Sequence, residues 1–566
     1  MEVMLRVILL MCWFSTVEAC PQGCICKGSQ VFCKELSTFP KNLSSSTTAL
    51  YLTKGNISSI KQEDLNDFSI ELTELVIKET SLTEVQPNTL DHTGNMVVLV
   101  ITETILQALP DALFQNLHKL QKLSLKGNRL TVIRSNCFMS LTNLNVLDLS
   151  KNLLTSLPVG AFQPLSNLQY LGLTGNNIAE IPSEMFKGLS KLNILRLNKN
   201  SIQEIPSGCF DDLGDLSELS LQDNLISHLQ WDLFSKIPSL QKLFLSHNQI
   251  ASLPLGIFQN LPGLSQISLY ENQLESLAPG IFGLMPLKEL WMYDNKLSRV
   301  EDDTFKNLTQ LRLLVLSRNE IKHVSVNAFR GLEQLGEVSL HTNLLRTIQE
   351  GTFQSLPKLV NISLEHNFIK SLPNRFLRGV SHLGQIDLRN NSFENLPQHT
   401  LDSFSIVDEI LLQPNPWKCD KDIAPFRNWL QENPSKANQT LIVCDTPTNL
   451  EGEMIALLTD ENLMLSTTGQ PLATTTIKTS NSPNPPIRKS TSLPAIKTTA
   501  SSKTEEVTRS GHEEGETVTK NTSIILITIA VLTVVIVCMV LVSCMTWRRN
   551  KTGRGDIRQR NKNAVL

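Results

Sequence analysis

The sequence predicts an α/β solenoid: a curved stack of short parallel strands on a concave face, closed by disulfide caps and followed by one transmembrane helix. Three observations predict it. An asparagine returns every 24 residues, and once after 23 (Asn272 to Asn295), over most of the chain. Cysteines stand at both ends of that stretch, and a long uncharged apolar run near the C-terminus leads into a cluster of arginines. Self-similarity at such a period is the signature of stacked repeats.

The asparagines are Asn128, Asn152, Asn176, Asn200, Asn224, Asn248 and Asn272, then Asn295, Asn319, Asn343, Asn367, Asn391 and Asn415. Extended backwards, the frame lands on Thr104, Thr80 and Asn56, so about 16 units are expected over residues 50–415. Around Asn248 a unit reads Leu240, Leu243, Leu245, Asn248, Ile250, Leu253, Pro254, Phe258, Leu261. This is the leucine-rich repeat pattern. The Leu-x-Leu segment is a short strand, whose alternate side chains face opposite ways. No unit can bury its leucines alone, and stacking neighbours makes one continuous core. The asparagine amide is suited to satisfy backbone groups where the chain leaves the strand. Phe138, Phe162, Phe186, Phe210, Phe234 and Phe258, each ten residues after an asparagine, fill the outer half of the core.

The ends fix the compartment. Arg6, the apolar run from Val7 to Phe14, and Val17 and Ala19 at the −3 and −1 positions predict a signal peptide over residues 1–19. Residues 524–546 are apolar and long enough to span a bilayer. Arg548, Arg549, Lys551 and Arg554 follow, which makes that side cytoplasmic. The expected molecule is a single-pass type I protein of the plasma membrane, with its solenoid outside. A net charge of −3 over 566 residues gives no sign of a nucleic-acid partner, and none is expected.

Cys20, Cys24, Cys26 and Cys33 form an N-terminal cap over residues 20–49. An even set this close in a secreted segment reads as disulfides, with a zinc site as the competing reading and three connectivities open. Thr80 and Thr104 stand at ladder positions, where a hydroxyl still bonds locally. Cys137 and Cys209, just before the repeat phenylalanines, read as small buried apolar residues. They lie three units apart, roughly 14 Å at ~4.8 Å per strand, too far to bridge. A C-terminal cap is expected at 416–465, with Trp417, Cys419, Phe426, Trp429 and Cys444. The Ser/Thr/Pro-rich segment 466–523 reads as an O-glycosylated stalk. In the tail, 547–566, Ala564-Val565-Leu566 is a weak candidate for a PDZ contact. Sequons at Asn42, Asn307, Asn361, Asn390 and Asn438 are expected to carry glycans. Asn56 is set aside as a buried ladder residue, and Asn521 as too near the membrane.

No catalytic motif, Gly-rich phosphate loop or metal-ligand spacing occurs, so no reaction, metal or cofactor is expected. His341 and His366 fall in adjacent units and read as solvated strand residues. What remains is a surface. Residues six, four and two before each asparagine face the concave side. Phe244, Tyr270, Trp291, Tyr293 and Val315 thereby form a patch on four neighbouring strands, rimmed by Arg318, His247, Glu271, Glu289 and Asp294. Three of the four tyrosines, with Tyr170, map to this side. Two readings compete: a partner site, because clustered exposed aromatics mark one, and inter-strand packing that stabilises the sheet.

Glu289-Leu290-Trp291-Met292-Tyr293-Asp294-Asn295, Leu316-Ser317-Arg318-Asn319, Ser339-Leu340-His341-Thr342-Asn343 and Pro416-Trp417-Lys418-Cys419-Asp420 carry a resemblance. They resemble the extracellular leucine-rich repeat family of cell-surface membrane proteins. The resemblance implies Cys20–Cys26 and Cys24–Cys33 pairing. At the C-terminal cap, Lys421 stands where the family's second cysteine would be, which leaves Cys419–Cys444 as the single pair. It further implies adhesion to matrix proteins of the collagen, fibronectin or laminin class, with effects on cell migration. An accessory subunit or co-receptor of a cell-surface receptor complex is the alternative that the same relatives imply.

Overall fold

The computed structural model describes residues 20–465. The signal, stalk, membrane-span and PDZ-motif expectations all fall outside the described residues. Among the described residues, no helix is long and apolar enough to cross a membrane.

One sheet of 18 strands runs through the described chain. Its first two strands, Cys24–Lys27 and Gln30–Lys34, form an antiparallel cap hairpin, and the second then pairs in parallel with Ala49–Thr53. The other strands are parallel, one per unit, ending with Val407–Leu411. The register is set by the leucines. Leu219, Leu243 and Ile267 stand opposite one another and are buried, so a slip of one residue would turn every leucine to solvent.

The asparagines hold neighbouring units together. Asn248 Nδ2 donates to the Leu245 carbonyl of its own strand at 3.1 Å and to Leu221 of the preceding one at 3.0 Å. Its Oδ1 accepts from the Ile226 amide at 3.0 Å. The same bonds recur at Asn272 and Asn319. The threonines do this incompletely. Thr104 Oγ1 bonds Asn128 Oδ1, whereas the buried Thr80 hydroxyl has no partner.

The frame breaks at the first unit. Ala49–Thr53 pairs with Glu74–Lys78 at an offset of 25, so Gly55, and not Asn56, is the ladder residue. The cap explains the glycine: a Cβ there would meet the Leu36 carbonyl oxygen at 2.5 Å. Asn56 lies one step on and is exposed.

The class also needs correction. Between residues 65 and 397 the described chain has no helix, and the outer sides of the repeats are successive turns. In a typical unit the Ile257 amide bonds Pro254 O and the Gln259 amide bonds Gly256 O. Gly256 sits at φ +88°, which stops any helix from propagating. The phenylalanines line the turns from within. Phe258 stacks on Phe282 at 5.8 Å and on Phe234 at 6.5 Å between ring centroids.

The ends are sealed as repeats require. The disulfides are Cys20–Cys26, Cys24–Cys33 and Cys419–Cys444. Helix Ala424–Glu432 buries Phe426, Trp429 and Leu430, and the Trp417 ring packs 4.7 Å from Phe426 and 6.4 Å from Phe393. Cys209 is buried as the sequence reading expects, whereas Cys137 is only half-buried; burial pushes both free thiols up to about 12. A thiolate is the reactive form, and at pH 8 such a thiol ionises to about one part in ten thousand. Cys209 is therefore expected to stay unlabelled by a thiol reagent in the native protein and to react fully in denaturant. Rapid native labelling of Cys209 would show that burial wrong.

Candidate functional site

The concave face is built from the strand residues that the leucines leave outward. Phe244, Ser268, Trp291 and Val315 occupy one register position on four consecutive strands. Ser268 is the short member between two rings, and its hydroxyl donates to Ser246 Oγ at 3.3 Å. A hollow of 610 Å³ opens there, lined by Phe244, Gln266, Ser268, Tyr270, Glu289, Trp291 and Tyr293, and also by Lys288.

The rings form one cluster. Tyr270 and Tyr293 stack at 4.6 Å with planes 8° apart. Trp291 meets Tyr293 edge-on at 6.4 Å, and His247 meets Tyr270 edge-on at 5.4 Å. Trp291 is 36% exposed and its Nε1 donates to Glu289 at 3.2 Å. Two polar contacts frame the cluster: His247 Nδ1 to a Glu271 carboxylate oxygen at 2.7 Å, and an ion pair of Arg318 with Asp294 at 2.6 Å. These rim residues precede ladder asparagines and sit in the left-handed region, at φ of 50–53°. Burial raises the Tyr293 phenol above its ordinary value, with Tyr270 and Glu271 adding and Arg318 opposing. The phenol therefore stays a neutral donor.

Five of the six expected patch residues come together at the surface: Phe244, Tyr270, Trp291, Tyr293 and Arg318. Val315 does not. It is 9% exposed, because its short side chain lies beside the taller Trp291 in register. It belongs to the floor. The sequence reading also missed Tyr51. In the corrected frame Tyr51 faces the same side, stacks on Phe32 at 4.5 Å and donates to Glu74 at 2.8 Å, so all four tyrosines share the face. The Leu50-x-Leu52 spacing held that signal, obscured by the misplaced asparagine.

Further along, Arg389 bridges Asp387 at 2.6 Å and Glu365 at 2.8 Å. Burial, then Arg318 and His366, lowers the His341 imidazole below its usual range. Among the described residues, no group of three or more His, Cys, Asp or Glu is placed to hold a metal ion.

The sequon residues differ in setting. Asn42 and Asn438 are exposed, while Asn361 and Asn390 are half-buried. Asn307 is tied down: the nitrogen to which a sugar attaches donates to the Phe282 carbonyl at 2.9 Å. Asn56, set aside from sequence, is exposed in Asn56-Ile57-Ser58. Peptide mapping of the chain secreted from glycosylating cells is expected to find a glycan on Asn56. Quantitatively unmodified Asn56 would contradict this.

A family model described as leucine rich repeat matches residues 94–393 in overlapping windows, more than half of the chain. The chain is 44% identical to human leucine-rich repeat-containing protein 15 over 45 residues, 8% of this chain and 8% of that relative. It is similar in fold to a chain of the Toll–Spatzle complex of Drosophila, with 20% identity and a TM-score of 0.55, covering 77% of this chain and 68% of that one. It is likewise similar to a chain of the LRIM1/APL1C complex, with 18% identity and a TM-score of 0.50, covering 68% of this chain and 65% of that one.

Proposed function

The chain belongs to the leucine-rich repeat family, and from that premise we propose that it is a cell-surface protein that binds other proteins through its concave face. Its partners are matrix proteins of the collagen, fibronectin or laminin class. The observation that carries this reading is the ring cluster of Phe244, Tyr270, Trp291 and Tyr293 around a hollow of 610 Å³. Tyr and Trp dominate binding hot spots because they bury large area at small entropic cost. Packing within the sheet does not account for Trp291, which is 36% exposed on a strand whose neighbours carry Ser268 and Val315. Two proteins of the same fold are known in complexes, Toll with Spatzle and LRIM1 with APL1C. The matrix class rests on the resemblance to a cell-surface family.

The test is binding of residues 20–465, a unit capped at both ends, to immobilised collagen, fibronectin and laminin. Saturable binding to one of them is the expected result. No binding to any, together with co-purification of a second membrane chain from the cell surface, would replace this reading with that of an accessory subunit.

A further inference from the structure

Resting on that reading, we propose that the hollow between Phe244 and Trp291 takes a basic side chain, an arginine or lysine, of the partner protein. Three aromatic rings on this sheet face already carry a cation of the chain itself. Lys27 Nζ lies 5.8 Å from the Phe32 ring, Arg196 5.6 Å from Tyr170, and Arg318 5.2 Å from Tyr293. Ring faces attract cations through their quadrupole. Among the described residues, no Lys or Arg covers the Trp291 ring, although it is the most exposed of the cluster and borders the empty space over Ser268.

The carboxylates point the same way. Glu271 is paired with His247 and Asp294 with Arg318. Glu289 lines the hollow and meets only the Trp291 indole, a neutral donor, so among the described residues no ion pair compensates its charge. A cation entering there gains a carboxylate and the faces of flanking rings at once. Lys288 also lines the hollow. An anion drawn to it would have to lie against ring faces and Glu289, which repel it. The space arises from residue size: a serine stands between a phenylalanine and a tryptophan at one register position.

The probe is acetyl-Gly-Arg-Gly-amide, with its lysine analogue and its citrulline analogue, which keeps the shape of arginine without the charge. Ligand-observed saturation-transfer NMR on the full-length chain reads the contact. Arginine and lysine probes are expected to give transfer and citrulline little or none. Glu289→Gln keeps an acceptor for Trp291 and removes the charge, and is expected to weaken the arginine probe about tenfold. Ser268→Leu fills the hollow and is expected to abolish transfer in a protein shown by circular dichroism to remain folded. Equal transfer from citrulline, or full transfer in Ser268→Leu, would overturn the proposal. The matrix assay separates the two ideas. Matrix binding lost in Trp291→Ala/Tyr293→Ala but kept in Glu289→Gln and Ser268→Leu would leave the concave site standing and remove the basic side chain. Binding indifferent to the double variant would remove the concave site itself.

Discussion

Truncation of Phe258 to alanine is expected to cost about 3–5 kcal/mol of folding stability, the range for removing a fully buried ring. The ring is fully buried and stacked between Phe234 and Phe282. Its neighbours belong to other units, each held in register by its own strand and asparagine. They cannot collapse into the space, so the cavity term adds to the lost transfer energy. In a stacked array the loss falls on the unit and its two interfaces. Urea unfolding should therefore show a lowered midpoint or an earlier local phase. Phe368, 50% exposed, is the control, with an expected cost within about 0.5 kcal/mol. Equal costs at the two sites would contradict the packing described here.

Replacing Asn248 with alanine is expected to cost about 2–6 kcal/mol. The figure follows from what each lost bond leaves behind. The Leu221 carbonyl also accepts from Asn224, and the Leu245 carbonyl also accepts from Asn272. Each keeps a partner, so each bond is worth only its net value, about 0.5–1.5 kcal/mol. The Ile226 amide bonds Asn248 Oδ1. Orphaned in a dry interior, a donor costs about 1–3 kcal/mol. Asn248→Thr is expected to cost less than alanine, since Thr104 shows that a hydroxyl reaches one ladder partner. Thermal or urea unfolding of the two variants checks the order. A cost for alanine below about 0.5 kcal/mol would mean that water replaces the amide freely.

Most of the solenoid was legible because its signals are periodic and local. A leucine pair marks a strand, and the asparagine and phenylalanine mark what the chain does next. Where the sequence misled, the cause was non-local. Asn56 fits the 24-residue frame by coincidence. The ladder position there belongs to Gly55, whose constraint is a cap carbonyl nineteen residues earlier in the chain. Val315 occupies the predicted face, yet its exposure depends on the height of Trp291 next door. The ring cluster itself was readable, because alternation in a strand assigns faces without any knowledge of curvature. The hollow was not. It requires knowing that Ser268 stands in register between Phe244 and Trp291 across a 23-residue unit. The expected α/β class loses its helical part within the repeats because the outer segments are divided into turns, as at Gly256.

The most direct test of the central claim is the binding of Trp291→Ala/Tyr293→Ala to whichever matrix protein the wild type captures, with the melting temperatures of both compared. Removal of two clustered aromatic anchors is expected to weaken binding by at least about 3 kcal/mol, more than a hundredfold. The melting temperature should hardly change, because these rings lie on the solvent side of a sheet whose core is leucine. Matrix binding that survives the double substitution in a protein of unchanged stability would contradict a concave binding site.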